Sequence, residues 1–233
     1  MTKFQSHINI INRYGVLVAS SILATWLVVN YIAFSATDLN WYSWQTLLFT
    51  LILTHLYTGI FITAHDAMHG IVNTNSHLNN IIGYICAGLI AFNYFPFLLK
   101  NHHKHHNYVG TNEDPDYHNG NFFIWYFQFS KHYIKLYQIV LMAITFNVLA
   151  IWVDQWQLTM FWTLPLILST LQLFYFGTYQ PHRVQHHHKN IHKSGSLSKQ
   201  HFVAFMTCYF FGYHFEHHDK PFVPWWQLYK HKV

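Results

Sequence analysis

The stretch WQTLLFTLILTHLYTGIFITAHDAMHG, residues 44–70, carries two readings at once. Residues 44–64 hold no formal charge and are interrupted only by His55. At about 1.5 Å rise per residue, such a run crosses the hydrocarbon core of a bilayer as one helix. It continues without a break into His65-Asp66-Ala67-Met68-His69. Two imidazoles four residues apart share one face of a helix. A membrane helix that ends in a pair of metal-type ligands predicts an all-α integral membrane protein with its chemistry at one membrane face.

Three further apolar runs lie outward from this stretch. Residues 15–34 contain no formal charge, and residues 136–153 and 158–177 are comparable. Pro165 in the last is tolerated where neighbouring helices satisfy the freed carbonyl. The expectation is therefore four transmembrane helices, at about 15–34, 44–64, 136–153 and 158–177, in a single membrane domain over residues 1–233. Residues 78–99 are also apolar but are broken by Asn79, Asn80, Gly83, Gly88, Asn93 and Pro96, which reads as an interfacial or re-entrant segment. The first run is too long for the apolar region of an ordinary signal peptide.

Charge placement orients these spans. All 13 Lys and Arg lie before the first span, between the second and third, or after the fourth, and neither short connection holds one. The positive-inside rule puts those three regions and both termini in the cytoplasm. With 9% charged and 52% hydrophobic residues, the composition excludes an ordinary soluble globule. The net charge of +5 fits an anionic bilayer face and forms no nucleic-acid patch. Cys86 and Cys208 are the only cysteines, so neither a disulfide framework nor a thiolate zinc site is supported.

Histidine is the unusual component, with 21 residues. Three clusters have helical ligand spacing: His65 with His69; His102 with His105 and His106; and His214 with His217 and His218. All fall on the face that Lys and Arg mark as cytoplasmic, as a cap on the membrane domain, provided residues 78–99 do not cross. Eight convergent imidazoles exceed what one zinc takes and suit two metals of the Fe, Cu, Ni or Zn type. Of the eight acidic residues, Asp66, Glu113, Asp114, Asp116, Glu216 and Asp219 lie within a few positions of a cluster. Carboxylates there are expected to orient ligand imidazoles and offset metal charge. Isolated His7, His55, His118, His132 and His231 read as packed or solvated, and His186-His187-His188, lacking partners at ligand spacing within the run, as a solvated basic loop.

At these residues the chain resembles the membrane fatty-acid desaturase and hydroxylase superfamily, and within it the β-carotene ketolases. The matching stretches are TAHDAMHG (63–70), HHKHHNYVGTNEDPDYH (102–118), GTYQPHR (177–183) and CYFFGYHFEHHDKPFVPWWQL (208–228). The resemblance implies a non-haem di-iron centre with His65, His69, His102, His105, His106, His214, His217 and His218 as ligands. It makes Asp66, Asp114 and Asp116 their supporting carboxylates. It also implies a ninth ligand just beyond the fourth span. There the chain departs from the family pattern and reads VQHHHKNIHKSGSLS (184–198), so His182 and His192 both remain open for that place.

The implied reaction is successive hydroxylation at C4 of a β-ionone ring, with O₂ as co-substrate and a ketone as product. No GxGxxG fingerprint, haem-attachment motif or iron–sulfur cysteine set occurs in the sequence. Electrons are therefore expected from a separate ferredoxin-type or NAD(P)H-linked donor, with a bacterial inner membrane as the setting. The same ligands would serve a fatty acid desaturase or hydroxylase acting on an acyl lipid. A metal transporter would need ionisable residues within the spans, and only His55 is found there.

Overall fold

The computed structural model describes residues 3–184 and 190–232. The His186–His188 run lies outside the described residues. Among those described, all regular structure is helical: α1 (Lys3–Ser35), α2 (Trp44–Met68), α3 (Ser76–Leu89), α4 (Phe95–Tyr108), α5 (Phe122–Tyr133), α6 (Leu136–Leu149), a long helix α7 (Gln155–His182), and the short α8 (His201–Cys208), α9 (His214–Asp219) and α10 (Trp225–Leu228).

The central element is α2. Ser43 caps it by accepting the Thr46 amide at 3.2 Å, and the chain leaves it just beyond His69 through Gly70, which sits at φ +70°. Buried Thr50, Thr54, Thr58 and Thr63 each donate to the carbonyl four residues earlier. These hydroxyls are satisfied within the helix, so a polar stripe passes through an apolar medium at little cost. Two of them also tie α2 to α7: Thr50 donates to the Met160 carbonyl at 2.9 Å and Thr58 to Gln172 Oε1 at 2.5 Å. Met160 lies in a π-helical turn, Thr159–Thr163, where wider winding loosens the backbone ladder. His55 stacks on Tyr209 with ring centroids 4.3 Å apart, a packed residue remote from the clusters.

Three helices are long and apolar enough to cross a membrane: Arg13–Ser35, Trp44–Met68 and Gln155–His182. The expected span at 136–153 differs. Its helix, α6, ends at Leu149, and 14 residues reach only about 21 Å, short of a bilayer core. It counts as a fourth span only together with α5, from which it departs by 83° at a break holding Lys135. Residues 78–99 form parts of two helices of 14 residues each, α3 and α4, neither long enough to cross. The turn between them holds Ala91 and Phe92 at positive φ. Buried Asn79 on α3 donates to the Ala67 carbonyl and accepts the Val72 amide, which fastens α3 to the end of α2. Asn79, one of the asparagines that break the apolar run, thus holds the floor beneath the first histidine pair.

Where α1 crosses the turn after that pair, a Cβ at Gly15 would stand 2.1 Å from the Val72 carbonyl oxygen. Backbone cannot yield as a side-chain tip does. Gly15→Ala is expected to destabilise the fold by about 1–3 kcal/mol, read as a lowered midpoint of thermal unfolding in detergent micelles.

Candidate metal centre

The helix phases anticipated from spacing bring the clusters together at the ends of α2, α4, α7 and α9. The boxes do not remain separate units. One group combines His65, His69, His102 and His217, and the other His105, His182, His214 and His218, with one ring nitrogen from each residue lying within 4.8 Å of the rest of its group. His102 and His106 lie one turn apart on α4, whereas His105 points toward the other group. On α9, His217 faces the first group while His214 and His218 face the second. His106 bridges them: its Nε2 is 3.0 Å from that of His217, and its ring stacks on His218 at 4.2 Å. All eight histidines of the three boxes therefore converge, and His182 joins them.

His182 arrives through a second π-helical turn, Tyr175–Tyr179, which rotates the last residues of α7. Within it, a Cβ on Gly177 would fall 2.3 Å from the Phe211 ring, so only glycine admits that ring. Phe211 in turn packs on His65 and His214 at centroid distances of 4.7 and 5.0 Å. The Nδ1 of His182 is held by the Lys193 carbonyl at 2.8 Å, which turns Nε2 inward. His192 is absent from both groups, and its Nε2 lies 3.7 Å from Asp219 instead. Between the two candidates for the ninth place, the geometry brings in His182.

The three carboxylates take different parts. Asp114 is buried, bonded to His105 Nδ1 at 2.9 Å, and accepts the Gly110 and Asp116 amides, both at 2.9 Å. Asp116 lies 3.9 Å from the same Nδ1 and accepts the Tyr133 hydroxyl at 2.5 Å. Asp66 accepts the Trp225 amide at 3.0 Å, and its other oxygen is 3.6 Å from His65 Nδ1. The other three acids expected near the metal face elsewhere. Glu113 is exposed, Asp219 pairs with Lys220, and Glu216 bonds Ser196 and Lys232. Glu216, two residues from His214 and from His218, points to the opposite face of the short α9, and Glu113 lies in an exposed turn beyond α4.

Burial, reinforced by mutual repulsion among the rings, holds His69, His102, His214, His217 and His218 well below the usual imidazole range, and His106 at about 2. These rings are neutral, the form that ligates metal. His105 is the exception: burial opposes its charge, but the Asp114 bond and the nearby Asp116 outweigh it, and its pKa is raised. For Asp114, burial is outweighed by the bonds from His105, Gly110 and Asp116, which lower its pKa. Burial lifts Asp116 to about 6.

The donor set fits two metal ions. Nε2 atoms face one another at 2.7 Å between His69 and His102, at 3.2 Å between His105 and His218, and at 3.1 Å between His214 and His218. Neither ring nitrogen of His65 makes a hydrogen bond, nor does His214 Nδ1, although all are buried. Unpaired buried nitrogens are costly. A cation held by each group would offset that cost, and imidazole favours iron, copper or zinc. Tyr133, Phe211, Gly177 and the Lys193 carbonyl were not visible as site components in the sequence, because each acts through contacts across helices.

Comparison with known proteins accords with the geometry. The fatty acid desaturase family model matches residues 42–147 and 120–232. A zeaxanthin 4-ketolase of Chlamydomonas reinhardtii is 36% identical over 233 aligned residues, covering 92% of this chain and 52% of that protein. A β-carotene ketolase of Paracoccus sp. is 36% identical, covering 92% of this chain and 90% of that one. A β-carotene 4-ketolase of Protosiphon botryoides is 35% identical, covering 92% and 62%. The chain thus spans about half the algal zeaxanthin ketolase and nearly all the bacterial protein. No solved structure matches it.

Because Asp114 orients His105, Asp114→Asn is expected to weaken metal binding about 10–100-fold. Competition with a chelator of known affinity measures the change.

Proposed function

The chain belongs to the fatty acid desaturase family, and within it we propose a membrane di-iron oxygenase that converts a ring methylene of a β-carotene-type carotenoid to a ketone. The observation that carries this reading is an apolar cavity of about 360 Å³ whose inner end is formed by His65, His102, His105 and His214. Its lining on α7 runs from Thr163 to Thr178, about 22 Å at the helical rise. The inner walls, including Met68, Ile90 and Leu98, are buried, whereas the lining residues Ile139 and Ile167 are 57% and 59% exposed. The cavity is therefore closed at the histidines and open on a lipid-facing side. An elongated hydrocarbon without a headgroup fits such an entrance. The ketolase names of relatives that match 92% of the chain favour a carotenoid over the acyl-lipid alternative.

In this reading His65, His69, His102 and His217 would hold one iron, and His105, His182, His214 and His218 the other, with His106 between the two groups. Iron in such a neutral-donor setting would supply O₂ activation toward unactivated C–H bonds. Each turnover consumes one O₂, two electrons and two protons; one oxygen atom enters the C–H bond and the other leaves as water. A second hydroxylation at the same carbon gives a gem-diol, which loses water to form the ketone. Phe61, Phe129, Leu173 and Phe211 line the cavity, exclude water and confine the ring. Asp114 fixes the His105 ring, and Asp116, held by Tyr133, keeps negative charge beside it. Asp66 braces the first histidine pair against the amide of Trp225.

The bent pair α5–α6 is taken as the fourth span, and residues 1–233 form a single membrane domain. The histidines and both termini face the cytoplasm of a bacterial inner membrane, on the side that carries Lys and Arg. Electrons come from a separate ferredoxin-type or NAD(P)H-linked donor.

Expression in a bacterium that makes β-carotene is expected to yield mono- and diketo derivatives by chromatography and mass spectrometry, with about two irons per purified chain. His217→Ala is expected to abolish product. Unchanged β-carotene alongside newly desaturated or hydroxylated lipids would establish the acyl alternative instead.

A further inference from the structure

The elements that carry the second histidine group share an anchor in which no histidine of the three boxes takes part. At six residues, α9 is too short to be stable by itself. Its inner face presents His214, His217 and His218. On its opposite face Glu216 is buried and accepts Ser196 Oγ at 2.5 Å and Lys232 Nζ at 3.0 Å. Lys232 also donates to Ser196 Oγ at 3.1 Å and lies over the Tyr213 ring at 5.5 Å. The Lys232–Glu216 pair is largely withdrawn from solvent, with side chains 12% and 7% exposed.

Ser196 belongs to a strap, residues 193–197, that reaches both sides of the group. On the α7 side, the Lys193 carbonyl holds His182 Nδ1, and the Gly195 amide donates to the Pro181 carbonyl at 2.8 Å. On the α9 side, the Gly195 carbonyl accepts the Phe215 amide at 3.1 Å, and the Leu197 amide donates to the Gly212 carbonyl at 2.8 Å. This strap lies within the stretch where the sequence departs from the family pattern.

We propose that residues 193–197, bolted through Ser196 and Glu216 by Lys232, are the positioning device that sets His182 opposite His214 and His218. Lys232 and Glu216 are positioning residues, and the inference rests on the two-iron reading. The first group draws His65 and His69 from the end of α2 and His102 from α4, and takes only His217 from α9. Disturbing the bolt therefore releases the second group's metal first.

The test uses the full chain, iron-loaded in detergent micelles, with iron per chain and the rate of iron release to a chelator as readouts. Lys232→Met is expected to lower iron from about two per chain toward one, with release of that portion about tenfold faster. Lys232→Arg, which keeps the charge on Glu216, is expected to retain both. The single Lys232→Met change leaves a buried carboxylate unpaired, which itself threatens folding. The pair Glu216→Gln/Lys232→Met leaves none, and is expected to show the same selective loss with unchanged thermal unfolding of the metal-free protein. Release at the native rate from Lys232→Met, parallel loss from both groups, or equal loss in Lys232→Arg would overturn the strap's role. A native chain that takes up no iron would instead defeat the two-iron reading, and the inference with it.

Discussion

Nine imidazoles packed at the ends of four helices impose the constraint on which the other features depend. Their nitrogens approach one another to 2.7–3.2 Å, and most of the rings are held neutral by burial and mutual repulsion. Protons cannot relieve such a cluster, because each added charge faces several others at short range. Shared cations can, and the converging lone pairs offer two places for them. Of the three carboxylates, Asp114 bonds the His105 ring directly, and Asp116 and Asp66 lie 3.9 and 3.6 Å from a ring nitrogen.

The elements bearing these rings are not self-sufficient. Long α2 and α7 are secured by each other and by the threonine hydroxyls between them. The short α9 is held from behind, and α4 is set by the turn that α6 supports through Gln138, which donates to the Ala91 carbonyl. Two π-helical turns on α7 do different work. One meets a threonine of α2; the other turns His182 into the second group, with Gly177 making room for Phe211. Such windings recur where a helix must aim a functional side chain. The same crossing of helices leaves the apolar cavity, because α6 diverges from α5 by 83° and buries only Gln138 of its own residues.

Much of this was legible in the sequence. The apolar runs give α1, α2 and α7 because a bilayer requires long helices that satisfy their own backbone. The HxxxH and HxxHH spacings give eight convergent histidines because helical periodicity places them on one stripe. Less legible was the fate of residues 136–153, where Lys135 and the following turn divide what reads as one apolar run. The acids illustrate the same limit. Asp114 and Asp116 follow a ligand helix in a loop that folds back to it, whereas Glu216 sits between ligands yet faces away.

The sequence by itself determined a helical membrane protein with a one-sided histidine centre, since hydropathy and periodicity are local properties of the chain. Only the tertiary structure decided how the boxes divide between two metal groups, that His182 rather than His192 joins them, and where the cavity opens. Those outcomes depend on helix rotation and crossing. A difference of one residue in winding, as at the π-helical turn before His182, redirects a ring by about 100°, and no local pattern records it.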